Sequence, residues 1–283
     1  MRGFTPLIRG TGLGLALLWV CSAAKADETA ELTAAINAYR GQPQDCAGQA
    51  WDGQLALVPE ARLALSPQVE DWQAELQRSG YQAAAVQTIR LSGPADAKAA
   101  MGMLQSGYCK VLMDAQYVDV GVVQAGSDWR VVLARPLLDG HQGDWQSEGK
   151  ALLEQINAAR VQPRLCGSEP FPAVGKLAWN DALGKASEAH SRAMANGNFL
   201  SHRGKDGSLP GDRASQAGYH GQRVGENLAA GLSTATRVVA GWLASPGHCA
   251  NLMNPMFTEL GAAYAVDPQS DAGIYWTLML GAP

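Results

Sequence analysis

One pattern of residues occurs twice in this chain, and the repeat constrains the fold more than any other feature. Leu32 to Gly48 (LTAAINAYRGQPQDCAG) aligns with Leu152 to Gly167 (LLEQINAARVQPRLCG) through Ile-Asn-Ala, Arg, Gln-Pro and Cys. Further on, Tyr108 to Gly121 (YCKVLMDAQYVDVG) aligns with His248 to Gly261 (HCANLMNPMFTELG). Because the matches follow one another in the same order, the sequence predicts two tandem domains of one fold. The first copy is placed at residues 27–137, the second at 149–283, with a polar linker at 138–148.

Apolar spacing predicts the secondary structure of the second copy. Apolar residues three and four positions apart predict helices over 152–160 and, after an N-cap at Asn180, to about Asn196. Two segments, 260–266 and 273–280, have the features of strands joined by a turn. Helices around a small antiparallel sheet predict the α+β class, in a sandwich-like arrangement.

The first 26 residues are predicted to be a secretion signal. Arg2 and Arg9 precede a short apolar run, and Ala24-Lys25-Ala26 is a cleavage pattern of small residues. The apolar run is too short to span a bilayer, so no transmembrane segment is expected after cleavage. The protein is therefore predicted to be exported, to the periplasm or beyond. The alternative is a lipoprotein anchored through Cys21.

The cysteines favour disulfide bonds over a metal site. Four remain after removal of the signal, and no C-x-x-C pair is present. An even number in an exported chain is typical of disulfides. Each copy has one early and one late cysteine, so the repeat predicts Cys46–Cys109 and Cys166–Cys249.

The charge of the chain argues against two classes of partner. The net charge is -4 and the pI is about 5.7, whereas a nucleic-acid-binding protein usually has a basic face. No block of like charge suggests a polybasic membrane patch.

Three residues of the second copy are candidates for a functional site. His202 lies in a Gly-rich loop (FLSHRGKDG), Glu226 lies in an apolar stretch (GEN), and His248 precedes Cys249 in SPGHCAN. A buried carboxylate needs a partner, which a histidine or a metal would supply. The first copy lacks these segments and has Tyr108 in place of His248. The alternatives are that His202 is a surface histidine, that Glu226 caps a local helix and that His248 caps a short turn.

Two further histidines are predicted to have no role in this site. His190 lies on the apolar face of its helix, as a hydrogen-bonded core histidine would, and His220 lies in a turn and is expected to face solvent. Cys249 beside His248 resembles a nucleophile and base, but the disulfide with Cys166 is favoured.

The second copy resembles the CAP superfamily (cysteine-rich secretory, antigen 5, pathogenesis-related-1) in its bacterial, SCP-like form. The resemblance covers about 130 residues and is carried by the following runs: HSRAMANGNFLSHRGKDG (190–207), AGY (217–219), GENLAAG (225–231), WLASPGHCANLMNPMFTELG (242–261) and YWTLMLG (275–281). The first copy resembles a degenerate member of the same fold.

The resemblance implies an α-β-α sandwich, secretion and a central cleft lined by histidines and acids. His202 and Glu226 match two positions of the tetrad of two His and two Glu found in eukaryotic members. The other two positions fall near Ser245 and Met256, which do not match. The bacterial SPGH motif suggests that His248 and Asn251 fill that space instead.

Three functions are compatible with these residues. The first is a binding module, in which His202, His248 and Glu226 hold a divalent cation such as Zn, or the cleft takes a small-molecule, lipid or cell-wall ligand. The second is a hydrolase of peptide or cell-wall glycan, in which a histidine is the base and Glu226 orients it. A glycosidase would need a second carboxylate, for which the candidates are Asp206, Asp212 and Glu259. The third is a disulfide-stabilised scaffold for a protein partner.

Overall fold

The computed structural model describes residues 27–138 and 143–283, which we call the N-terminal region and the C-terminal region. The predicted signal peptide, with Cys21, lies outside the described residues, as does the segment 139–142 of the predicted linker. Within the described ranges, no helix is long and apolar enough to cross a membrane.

The N-terminal region packs helices against a mixed sheet. Its elements are α1 (Glu28–Arg40), β1 (Gln44–Asp45), β2 (Ala50–Trp51), β3 (Val58–Pro59), a 3-10 helix (Ala61–Leu63), α2 (Trp72–Ser79), β4 (Ala83–Ser92), α3 (Ala97–Met113), β5 (Asp119–Ala125) and β6 (Asp128–Pro136). The sheet has the order β3-β5-β6-β4, in which only the β3–β5 pair is parallel.

The C-terminal region has a sheet of the same order and direction. Its elements are α4 (Trp145–Arg160), β7 (Arg164–Cys166), β8 (Glu169–Phe171), β9 (Ala178–Trp179), α5 (Asp181–Gly197), α6 (Pro210–Gln216), β10 (Arg223–Ala230), α7 (Ala235–Ala244), α8 (Pro246–Leu252), β11 (Glu259–Val266) and β12 (Ile274–Ala282). The sheet order is β9-β11-β12-β10, and only the β9–β11 pair is parallel.

Helices cover both faces of the C-terminal sheet. Along β12, Trp276 and Leu278 pack with the core residues of α4 and α7, whereas Tyr275 and Met279 face α5 and α6. All nine residues of β12 are buried, as expected for a strand covered on both sides. The α-β-α sandwich is therefore confirmed for this region.

Two residues of the repeat make the same contacts in both regions. Arg40 and Arg160 are both buried, and each donates through Nε to a carbonyl fifteen residues further along, of Leu55 and Gly175 respectively. The asparagine three positions earlier bonds both main-chain groups of one leucine in each region: Asn37 with Leu57, and Asn157 with Leu177. These side chains hold the first helix of each region to the loop that leads into its sheet.

The regions differ in the layer that carries the candidate site. In the C-terminal region α5 lies so close to β11 that a side chain at Gly261 would collide with the backbone of Gly184. In the N-terminal region the 3-10 helix takes that place, because a side chain at Gly121 would collide with Leu63. The N-terminal region thus has no counterpart of α5 or of the loop after it, which carries His202.

Helix α4 begins earlier than the predicted domain boundary. The carboxylate of Asp144 accepts a hydrogen bond from the backbone of Ser147, so the helix starts at Trp145 rather than at residue 152, where the apolar spacing placed its start. Helix α5 spans Asp181–Gly197 and has the predicted N-cap, Asn180. The helix ends at Asn198, whose backbone is in the left-handed conformation.

Both predicted disulfides are formed. Cys46 is bonded to Cys109 within the N-terminal region, and Cys166 is bonded to Cys249 within the C-terminal region. The second bond joins β7 to α8 and has both sulfurs in a small buried cluster. It therefore fixes the helix that carries His248.

Candidate functional site

An open cleft of about 720 Å³ lies where β10, α8 and the α5–α6 loop meet. The structure places His202, Glu226, His248 and Asn251 along it. The other described residues that line it are Gly41, Pro43, Gly53, Phe171, Asn227, Ser245, Gly247, Ala250, Asn254 and Pro255. The candidate residues from three separate segments are therefore brought into one cleft.

Glu226 is the buried centre of the site. Its side chain is 1% exposed on β10, where Gly225 precedes it and Asn227 follows it. One carboxylate oxygen, Oε1, lies 2.7 Å from Nδ1 of His202, and the other, Oε2, accepts a hydrogen bond of 2.7 Å from Arg213. A buried carboxylate is stable only with such partners, so the two contacts account for an acid in this position.

Arg213 is the site residue that the sequence did not reveal. Its side chain, on α6, is 8% exposed and donates to the main-chain oxygens of His202 (3.0 Å) and Ser208 (2.9 Å) as well as to Glu226. One guanidinium thus ties the α5–α6 loop to β10. The apolar sequence around Glu226 indicates that the carboxylate needs a partner, but it does not distinguish an arginine from a histidine or a metal as that partner.

His202 presents one ring nitrogen to the cleft. Its side chain is 51% exposed, and Nδ1 is engaged by Glu226. Because a carboxylate accepts hydrogen bonds, Nδ1 donates in this contact, which leaves Nε2 as the other polar atom of the ring. Nε2 has no hydrogen-bond partner among the described residues.

His248 is held as a neutral imidazole. Its Nδ1 lies 2.7 Å from Oγ of Ser245, and its carbonyl accepts a hydrogen bond from the amide of Asn227. Burial, with a smaller contribution from the imidazole of His202, lowers the pKa of His248 to about 4. The ring is therefore uncharged at neutral pH.

The depressed pKa of His248 makes stability depend on pH. The imidazole has a pKa near 6.5 in the unfolded chain and about 4 in the folded one, so between these values only the unfolded chain binds the proton. We expect the free energy of unfolding to fall as the pH decreases from 6.5 towards 4. Urea denaturation at several pH values should show a shallower slope for His248→Asn. His190 is also buried, and its burial lowers its pKa, so part of the pH dependence should remain in this variant.

The matched control for this prediction is His220→Asn, since His220 is exposed. Its stability should follow the wild-type pH dependence. A slope that is the same in His248→Asn and in wild type between pH 6.5 and 4.5 would contradict the assignment.

Two asparagines support the floor of the cleft. The amide of Asn251 donates to Oδ1 of Asn227 (2.9 Å) and to the carbonyl of Glu226 (3.2 Å). Asn227 is itself buried on β10. The Nδ2 group of Asn251 thus links α8 to β10 next to Glu226, which indicates a positioning role for this residue.

The remaining candidate residues lie away from the cleft. His190 is buried, with Nε2 bonded to the carbonyl of Ser201 (2.9 Å), and His220 is exposed. Each of the three candidate second carboxylates has partners elsewhere: Asp206 with Ser208, Asp212 with the backbone of Leu209, and Glu259 with Asn180 and Tyr219. Among the described residues that line the cleft, Glu226 is the sole carboxylate.

The donor set does not fit the four-ligand metal site of the eukaryotic tetrad. Ser245 is bonded to His248, Met256 is an exposed apolar residue, and both oxygens of Glu226 are engaged by side chains. In the ranges 27–138 and 143–283, no three His, Cys, Asp or Glu residues form a group that could hold a metal ion. Binding of a cation by His202, Glu226 and His248 stays a prediction.

Comparison with known sequences finds one family. The profile of the cysteine-rich secretory protein family, CAP, matches residues 153–280. The uncharacterized protein YkwD of Bacillus subtilis is 31% identical over 128 residues, which is 45% of this chain and 44% of that protein. The uncharacterized membrane protein YlbC of the same organism is 34% identical over 113 residues, 40% of this chain and 30% of that protein. The chain spans less than half the length of these relatives.

Comparison with solved structures finds proteins of low sequence identity. An outer surface protein from Borrelia burgdorferi has 22% identity and a TM-score of 0.41, covering 51% of this chain and 98% of that one. An extracellular protein containing a SCP domain from Bacillus anthracis has 17% identity and a TM-score of 0.43, covering 77% and 74%.

Proposed function

Residues 153–280 are a CAP domain, and from this premise we propose that the protein is an exported binding protein whose cleft holds a neutral, hydrogen-bonding ligand. The observation that supports the proposal is that the ionisable groups Glu226 and His248 carry no unpaired charge. Glu226 is paired with Arg213, and His248 is neutral because of its low pKa. The described residues that line this cleft include no lysine or arginine, and their one carboxylate is paired with Arg213.

The lining of the cleft favours a saccharide. Nε2 of His202 can form a hydrogen bond with a hydroxyl group, which both donates and accepts, and the amide of Asn254 adds polar groups nearby. Phe171 and Pro255 supply apolar surface for a sugar face. Pockets that combine a few fixed polar groups with apolar surface are typical of small-ligand sites. We take N-acetylated glycans of the cell envelope as the ligand class.

Export and domain organisation belong to the same proposal. Two disulfides are typical of a chain that folds in an oxidising compartment, which agrees with the predicted signal peptide at 1–26. The shared strand order and the equivalent contacts of Arg40 and Arg160 support an origin of the N-terminal region as a degenerate second copy.

Titration calorimetry with the tetramer of N-acetylglucosamine tests the binding role. Wild type is expected to bind, and His202→Ala to bind about fivefold more weakly, because it loses a hydrogen bond worth roughly 1 kcal/mol. The control is His220→Ala, which changes an exposed histidine outside the cleft. Absence of binding by wild type, both to the tetramer and to peptidoglycan sacculi, would reject the glycan ligand.

A second function is favoured by one contact. The 2.7 Å pair of His202 and Glu226 has the geometry of a base and the residue that orients it, so His202 could activate a water for hydrolysis. The lack of another carboxylate among the described cleft residues argues against the two-acid mechanism of glycosidases. Release of reducing ends or peptides from peptidoglycan by wild type, and its loss in His202→Ala, would establish hydrolysis over binding alone.

A further inference from the structure

The N-terminal region packs directly on the domain that carries the cleft. Val118 belongs to the same buried cluster as Leu232 and Trp242 of the C-terminal region. A side chain at Gly231 would come within 2.8 Å of the Val118 side chain and 3.1 Å of the carbonyl oxygen of Gln116, so the two regions are in close approach. An ion pair between Asp119 and Arg237 crosses the same junction. Leu55 also packs against this cluster, so the N-terminal loops 52–56 and 115–118 are both held beside the cleft.

A narrow cavity of about 50 Å³ lies within this junction. From the N-terminal region it is lined by Arg40, Asp52, Gly53, Gln54, Leu55, Ala56, Ala115, Tyr117 and Val118. From the C-terminal region it is lined by Leu200, Ser201, His202, Leu228, Ala229, Ala230, Leu232 and His248. Gly53, His202 and His248 also line the open cleft, so the cavity adjoins it.

The size and lining of the cavity limit what it can hold. A volume of about 50 Å³ has room for roughly three or four non-hydrogen atoms, because a single water already needs about 10–15 Å³. A sugar ring is too large, since pockets for whole ligands are about 300 Å³ or more. Alanine, leucine and valine side chains form much of the wall, and the imidazoles of His202 and His248 stand where the cavity meets the cleft.

We propose that this cavity is a subsite for the acetyl group of an N-acetylated ligand whose ring lies in the open cleft. The methyl group contacts the apolar wall, and an imidazole hydrogen-bonds to the amide. The N-terminal region thereby selects the ligand of the C-terminal region, although it lacks the cleft residues itself. The inference rests on the proposed glycan-binding function.

Filling the cavity tests the subsite. Ala115→Leu and Ala56→Leu each place a larger side chain in it from a different N-terminal loop. In calorimetry, wild type should bind the N-acetylglucosamine tetramer at least tenfold more tightly than the glucosamine tetramer. Each filled variant should lose this preference while its melting temperature stays within a few degrees of wild type. Ala99→Leu, at an exposed position of α3, is the matched control and should keep the preference.

A second measurement separates failure of the subsite from failure of the glycan function. N-methylacetamide, a probe of the acetamido group alone, should shift the imidazole NMR signals of His202 and His248 in wild type but not in the filled variants. If wild type binds the tetramer and both filled variants bind it equally well, the subsite is wrong and the glycan function stands. If wild type binds neither the tetramer nor peptidoglycan sacculi, the glycan function fails, and a probe that leaves both signals unmoved overturns the subsite as well. If only one variant folds, its comparison with wild type decides.

Discussion

Arg213→Met is expected to lower the free energy of unfolding by about 3–5 kcal/mol, since it leaves a buried carboxylate without its counter-charge. Both partners are shielded from solvent, with 8% of the Arg213 side chain and 1% of the Glu226 side chain exposed. The variant also frees the carbonyls of His202 and Ser208, so the α5–α6 loop should loosen. Urea denaturation at pH 7 measures the change.

Two controls separate the buried ion pair from a general effect of removing an arginine. Arg203→Met removes an exposed arginine in the same loop and should change the stability by less than about 0.5 kcal/mol. The double variant Arg213→Met/Glu226→Leu should recover much of the loss, because it leaves no unpaired charge. Equal stability of Arg213→Met and Arg203→Met would contradict the central role of this pair.

Removal of the Cys166–Cys249 disulfide is expected to lower the free energy of unfolding by about 4 kcal/mol in the chain-entropy model. The bond joins residues 83 positions apart and holds α8 to β7. Its loss should also weaken ligand binding, because His248 is adjacent to Cys249. Urea denaturation and calorimetry of Cys166→Ala/Cys249→Ala measure the two effects.

The disulfide of the N-terminal region provides the comparison. Cys46→Ala/Cys109→Ala opens a bond across 63 positions and should destabilise its own region by a similar amount. In this variant the Cys166–Cys249 bond still holds α8, and Ser245 still contacts His248. The pH dependence assigned to His248 should therefore persist. A loss of less than about 1 kcal/mol on removing Cys166–Cys249 would show that packing alone holds α8.

Local patterns predicted much of the C-terminal fold. The N-cap Asn180 and the apolar spacing after it placed helix α5 to within a residue or two, because one face of that helix packs on the sheet. The alternation of side chains in β12 could not be recognised in the same way, since both faces of the strand are buried and nearly all of its residues are apolar. The length of the segment and the turn that precedes it predict this strand instead.

The candidate site was predicted in part. His202, Glu226 and His248 line one cleft, but the residue that neutralises Glu226 comes from α6, thirteen positions earlier in the sequence. An arginine on a short helix gives no local sign that its guanidinium is buried. The contribution of the N-terminal region to the cleft was not predicted either, because the repeat indicates how each copy folds and not where one packs on the other.

The sequence by itself determined part of the secondary structure, the disulfide pairs and the segments that carry the histidines, since each depends on spacing along the chain. Only the tertiary structure decided the chemistry of the site. Whether His248 is neutral depends on its burial, and whether Glu226 is available to a metal depends on Arg213. Solvation and pairing are set by neighbours in space, and the narrow cavity beside His202 exists only because a second region of the chain closes it.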